Sequence, residues 1–347
     1  MRLLKWMAEA SGHVAQLRDH DCFETMEHWV FIVVGDVHPA GRVWSILKYI
    51  PGDGAWGSDG RKFVRVIQQY TVEELLKVIR FLDENQPSYV YYDPTVQAKV
   101  IAPPTDRIIR IYNSRKRLAE LLSRPSNNQL EKSLISLVES LSELSGVSTE
   151  YFGVTGSILP GIHHQNSDID LVVYGVENIW KVLEALKRLQ REGMVALLGD
   201  KDPWGWAARA ARRYPIPLNN LLRLASNVTN KGVYNGVAFS LHGVREKPMH
   251  RHGEVFYSSL GMARVKLRVI DVRESLFTPA VYFVEDESGS IDRIVCYDMM
   301  LAGVLREGDL VEVYGKLEAA WSNGEEAWRQ ILIGSYEGAG KEYIKIL

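Results

Sequence analysis

The sequence predicts a multidomain α+β chain. Residues 1–125 read as an α+β domain, 126–262 as a domain with a mixed sheet, and 263–347 as a small β-barrel. Three observations carry this. A length of 347 residues with 46% hydrophobic and 24% charged residues suits two or three ordinary globular cores. The middle of the chain runs helix, strand, Gly-rich turn, strand, helix. The last 84 residues replace helical periodicity with clean alternation, as in Arg264 to Arg273.

The net charge of −2 excludes a chain that binds polyanions by overall charge, so any nucleic-acid surface must come from local asymmetry. Cys22 and Cys296 are far apart and without metal-ligand spacing, which fits a reducing compartment. No uninterrupted apolar run approaches spanning length, and Lys5 and Glu9 break the N-terminus as a signal peptide. The expectation is a cytoplasmic protein with no membrane partner.

Residues 1–26 read as mixed, with a helix as one option. Trp29 to Val34, Gly41 to Ile50 and Lys62 to Gln68 read as strands, with Pro51 to Gly60 as a turn-forming linker. Thr71 caps a helix, with Glu74 as capping-box partner and Leu75, Leu76, Ile79 and Leu82 as its apolar stripe. His38 to Arg42, followed by Lys48, suits either a phosphate contact or a hairpin loop with solvated charges. Asp106 to Leu122 reads as a basic helix. Pro125 to Asn128 breaks the chain and supplies an N-cap. Leu130, Leu134, Leu137, Val138, Leu141 and Leu144 then line one helix face up to Gly146.

The stretch around which the chain is organised is Gly156-Ser157, ten residues, then Asp168-Ile169-Asp170. Alternation puts Asp168 and Asp170 on one face of a strand, where two carboxylates repel and a divalent cation relieves the repulsion. Gly156 lets backbone N–H groups approach a phosphate closely. The bland alternative is an acidic strand end in solvent, which the apolar run Leu171 to Val173 weakens. His163-His164, between the two halves, suits a phosphate contact or plain loop polarity.

This stretch resembles the signature of the DNA polymerase β-like nucleotidyltransferase superfamily, over roughly Gln129 to Arg245. With the front of the chain it resembles uncharacterised archaeal predicted nucleotidyltransferases. The resemblance implies a polymerase-β-like central domain. Asp168 and Asp170 would be catalytic and would hold Mg²⁺ or Mn²⁺ with a nucleoside triphosphate, whose phosphates Gly156 and Ser157 would contact.

Val176 to Arg191 is an amphipathic helix. Pro203 to Arg245 then carries no Asp or Glu. Arg209, Arg212 and Arg213 would share a helix face flanked by Trp204, Trp206 and Tyr214. That suits a triphosphate or nucleic-acid strand, or a solvated basic face over core tryptophans. The superfamily usually carries a third carboxylate on a neighbouring strand. The best candidate, Gly236 to Val244, has Ser240 or His242 in that place. Three options stand: Glu246 or Glu254 folds back, His242 is the base, or transfer is weak or lost.

Ala280 to Val284, Arg293 to Tyr297, Leu310 to Glu318 and Gln330 to Ile333 complete five C-terminal strands. Their pattern resembles an OB-fold, with Arg264, Lys266 and Arg268 as the nucleic-acid-binding row; the alternative is a structural appendage. The functional expectation is transfer of a nucleoside monophosphate to a nucleic-acid acceptor. The alternative is an inactive nucleic-acid-binding protein of the same fold.

Overall fold

The computed structural model describes residues 17–58, 60–126 and 128–347. The signal-peptide reading and the first part of the helix considered for residues 1–26 lie outside the described residues. The chain is mixed α+β, with several sheets and seven α-helices among the described residues.

The first sheet holds β1 (Cys22–Thr25), β2 (Val30–Val33), β3 (Ser45–Ser58), β4 (Arg61–Arg65) and β7 (Ile108–Tyr112), in the order β4-β3-β2-β1-β7 and antiparallel throughout. A separate hairpin pairs β5 (Val90–Asp93) with β6 (Ala98–Ile101). Helix α1 (Val72–Asn85) starts at Thr71, whose hydroxyl accepts from the Glu74 amide at 3.3 Å. Val78, Ile79 and Leu82 pack with Phe23, Phe31 and Leu47 in this sheet's core.

Two expectations fail here. Pro51 to Gly60 is not a linker: β3 runs through to Ser58. Its register shifts between Pro51 and Trp56, and a Cβ on Gly54 would lie 2.0 Å from the Phe63 carbonyl oxygen. The glycines thus permit a bulge rather than a turn. Asp106 to Leu122 is not one helix either. The β-branched run Ile108 to Ile111 forms the edge strand β7, and Asn113 then caps α2 (Ser114–Leu122).

The central sheet has the order β10-β11-β12-β9-β8. It contains β8 (Phe152–Val154), β9 (Ile169–Tyr174), β10 (Val195–Leu197), β11 (Lys231–Tyr234) and β12 (Val237–Val244). β9 and β12 run parallel and the other pairs antiparallel. Helix α3 (Gln129–Ser145) is capped by the Asn128 side chain and stopped by Gly146 at φ 70°. Its buried stripe packs with α4 (Val176–Arg191) on this sheet, and α2 adds Leu118 and Leu121 to the same core. Burying each such leucine contributes roughly 1.5–3 kcal/mol, which fixes the frame that holds β8 and β9.

Helices α5 (Leu198–Lys201), α6 (Pro203–Ala210) and α7 (Leu218–Ser226) follow β10. Trp206, Ala207, Leu221 and Leu224 join the core of the last sheet rather than the central one. That sheet contains β13 (Val255–Asp271), β14 (Ala280–Glu285), β15 (Arg293–Cys296), β16 (Leu310–Ser322), β17 (Glu325–Ile333) and β18 (Tyr343–Ile346). Pairing runs from β13 through β14, β15, β17 and β16 back to β13, with β15 and β17 parallel. None of the described helices is long and apolar enough to cross a membrane.

Candidate active site

Gly156 and Asp170 define the site's geometry. Gly156 sits just after β8 at φ 67°, where a Cβ would lie 2.3 Å from Asp170 Oδ2. No other residue allows both that backbone and that approach. The Thr155 amide donates to the Asp170 carbonyl at 2.9 Å, tying the turn to β9. Asp168 immediately precedes β9, and the negative charge of Asp170, then desolvation of the carboxyl, raise its pKa above the ordinary 3.8. A raised carboxylate beside a second one is the electrostatic state that a divalent cation relieves.

The strand register extends this site across the sheet. Lys231 on β11 faces Ser240 on β12, and Ser240 faces Asp170 on β9. The Ser240 hydroxyl donates to Asp170 Oδ1 at 2.5 Å and meets His242 Nε2 at 3.0 Å. A serine has one proton to give, so His242 donates from Nε2 and its Nδ1, buried without a partner, is left as an acceptor. Burial, with the charges of His20, Lys231 and Lys48, holds His242 neutral, well below the usual histidine range. An imidazole so depressed is a poor proton acceptor near neutral pH.

Glu246 and Glu254 do not complete the group. Glu246 lies 3.9 Å from Arg115, at a shallow cleft before α4, and Glu254 accepts from the Arg251 amide at 2.8 Å. Neither lines the cavity that contains Asp168 and Asp170.

That cavity measures about 1490 Å³ and is walled by all three parts of the chain. Gly156, Asp168, Asp170, Ser240, His242, Arg209, Arg212 and Arg213 line it. The arginines do not share a helix face, because α6 ends at Ala210, ahead of Pro215. Arg209 lies 3.7 Å from Asp202, while Arg213 reaches Asp298 at 3.4 Å and Gln69 at 3.0 Å. Ser157 is buried and not part of the wall. Trp206 and Tyr214 are core, whereas Trp204 is exposed. Arg264, Lys266 and Arg268 lie exposed on β13 outside the cavity. Arg264 stands over Tyr314, Lys266 opposite Glu312, and Arg268 at 3.8 Å from Glu285. In the loop, His163 lies 3.9 Å from buried Glu131 and His164 packs on Trp56, so both brace the loop.

Three more groups stand in the wall; the sequence reading offers one of them, Lys48, as either a phosphate contact or a solvated loop charge, and gives His20 no role. Lys48, on β3, is buried. Burial opposes its charge, yet Tyr70, Tyr49 and Asp170 hold its ammonium above the usual lysine range. Its Nζ stands 5.8 Å from the Tyr49 ring centre and 5.9 Å from that of Tyr70. Burial lowers Lys231, with Asp298 and Asp170 acting against it. His20, at φ 68°, accepts from the Thr155 hydroxyl at 2.7 Å and sets its ring 4.8 Å from His242. The Gly156 turn is thus buttressed from the first sheet's side.

The donor set fits a small hard cation shared with a substrate. Among the described residues no group of three or more His, Cys, Asp and Glu is gathered to hold a metal. A cation on Asp168 and Asp170 would take its other oxygens from phosphate and water.

No family model matches the chain, and no solved structure matches it. It is 28% identical over 346 residues, 95% of its length and 99% of the other's, to the "Uncharacterized protein MJ1086" of Methanocaldococcus jannaschii.

Proposed function

We propose that the chain is a metal-dependent nucleotidyltransferase that moves a nucleoside monophosphate from a triphosphate to a nucleic-acid acceptor and releases pyrophosphate. The observation that carries this is the fit of Gly156 against Asp170, with Asp168 beside them, at one wall of a cavity that Lys48, Lys231, Arg209, Arg212 and Arg213 also line. Bound to both aspartates, Mg²⁺ or Mn²⁺ would activate the attacking hydroxyl and stabilise the leaving group. The backbone at Gly156 approaches the phosphates without a side chain in the way. Lys48 from the first sheet and Lys231 from the central sheet would offset their charge, and Arg209, Arg212 and Arg213 would extend that field along the wall. Ser240 holds Asp170 in one orientation while leaving Oδ2 free. The five-strand ring with a parallel β15–β17 pair supports reading residues 263–347 as an OB-like barrel.

One observation favours a second reading. Ser240, rather than a carboxylate, faces Asp170 on β12, and His242 is held neutral. A site so built binds nucleotide with little turnover, which describes a nucleic-acid-binding protein that retains the fold. Incubation with each labelled nucleoside triphosphate, Mg²⁺ or Mn²⁺ and total RNA separates the two. Metal-dependent labelling of RNA supports transfer. Nucleotide binding without labelled product supports the second reading, and labelling of a small molecule or protein instead changes the acceptor.

A further inference from the structure

The cavity has a second polar wall, supplied by the outer face of the C-terminal ring. Two cross-strand rows build it. Tyr257, Ala320 and Trp328 face one another across β13, β16 and β17. Arg293, Gln330 and Glu318 do so across β15, β17 and β16. Rows two residues apart on a strand share a face, so both sets point the same way. All of these side chains except Ala320 line the cavity that holds Asp168 and Asp170.

The chemistry of this wall is that of a stacking platform. The Arg293 guanidinium lies 4.2 Å from the Trp328 ring centre, and Tyr257 meets Trp328 edge-on at 6.3 Å. Ala320 between them adds no bulk. The polar groups are arranged and buried. Trp328 Nε1 donates to Gln330 Oε1 at 3.0 Å, and Gln330 Nε2 donates to Glu318 at 3.0 Å. Two groups are left over. Arg293 Nε is buried without a partner, and burial lowers the Arg293 pKa. Burial pushes the Tyr257 phenol up to about 12, so it stays a hydroxyl. An orphaned buried donor costs roughly 1–3 kcal/mol, and a ligand acceptor brought onto the platform removes that cost. A flat ring with acceptor atoms at its edge meets both demands.

We propose that Trp328, Arg293 and Tyr257 form a nucleobase subsite, in the same cavity as Asp168 and Asp170, with Arg293 Nε donating to the edge of the base. This rests on the nucleotide reading only in taking a nucleotide as ligand. The base belongs either to the triphosphate itself or to a single-stranded acceptor. It also moves nucleic-acid contact from the exposed row Arg264, Lys266 and Arg268 to the part of the ring's outer face that lines the cavity.

The experiment is titration calorimetry without divalent cation, so that its outcome is independent of transfer. The full chain and its Trp328→Ala, Trp328→Phe and Arg293→Met variants are titrated with inorganic tripolyphosphate, the four nucleoside triphosphates and an eight-nucleotide single strand. Base–aromatic stacking of about 1–3 kcal/mol predicts a loss of roughly ten-fold or more for ring-bearing ligands in Trp328→Ala. Trp328→Phe should restore most of it, and tripolyphosphate affinity should not change. A loss confined to triphosphates assigns the base to the donor, and a loss confined to the oligonucleotide assigns it to the acceptor. The proposal is overturned if Trp328→Ala and Arg293→Met bind every ligand as the wild type does. It is equally overturned if tripolyphosphate affinity falls as much as that of ring-bearing ligands, or if the wild type binds neither nucleotides nor the oligonucleotide.

Discussion

Replacing Gly156 by alanine puts a methyl group 2.3 Å from Asp170 Oδ2, at φ 67°. The backbone strain is about 1–2 kcal/mol, and the carboxylate must also move. Gly156→Ala should therefore stay folded, with a melting temperature lowered by a few degrees, while transfer falls at least a hundred-fold, read as labelled product per enzyme. Asp168 gives a pH-dependent test. Asp170 raises its proton affinity in the folded chain, so the folded state binds more protons than the unfolded state from about pH 3.8 upward. Stability from this group is lost as pH rises through that window. Asp168→Asn should melt higher than wild type at pH 7 without divalent cation, and the gap should close as pH falls toward 3.8. A wild type that melts at or above the variant at pH 7 contradicts the repulsion. These two positions were legible in the sequence because a turn and a strand place them by local spacing alone. Ser240 and His242 were legible only as residues on the strand face beside the aspartates; their hydrogen bonds were not, since alternation sets a face but not which neighbour a side chain bonds.

Among the elements, β9 and β12 set the register of the site, and α6 and α7 tie it to the C-terminal sheet. Trp206, Leu221 and Leu224 pack in the same core as Tyr282, Ile294 and Val313. Truncation at Gly261 removes most of that core and leaves the helices without a partner. The truncated chain should lose nucleotide affinity as well as nucleic-acid affinity, with reduced helical signal in circular dichroism. Nucleotide binding equal to that of the full chain contradicts this shared core. Elements whose periodicity is unambiguous, such as α3, α4 and β9, match their sequence readings. Those that differ have a competing physical signal. Ile108 to Tyr112 is basic like the helix after it, but its β-branched residues pair with β1. The glycines of β3 read as turn residues, yet they serve a bulge against β4. Strands β1, β10, β11 and β18 are three or four residues long, too short to show a period.

For the whole molecule, the site depends on chain segments that only the tertiary fold brings together. Lys48 comes from the first sheet, Lys231 from the central one and Arg293 from the last, and all three face one cavity. No spacing rule in a sequence links positions so far apart. Lys48→Met removes a buried ammonium, and a charge-assisted contact from it to a phosphate would be worth about 1.5–3 kcal/mol. Affinity for inorganic tripolyphosphate should fall roughly ten- to a hundred-fold, and the salt dependence of binding should weaken. Equal affinity in the variant would separate the N-terminal sheet from the phosphate site. A metal-dependent transfer carried by Asp168 and Asp170 can be tested in one assay. Its most direct measurement is incorporation from α-labelled nucleoside triphosphate into RNA by wild type, Asp168→Asn and Asp170→Asn, with Mg²⁺ or Mn²⁺ and with chelator. Metal-dependent product is expected from wild type, with none from either variant or in chelator, while all three proteins bind nucleotide. Wild type that binds nucleotide but forms no product with either metal, or variants that label RNA as well as wild type, would contradict it.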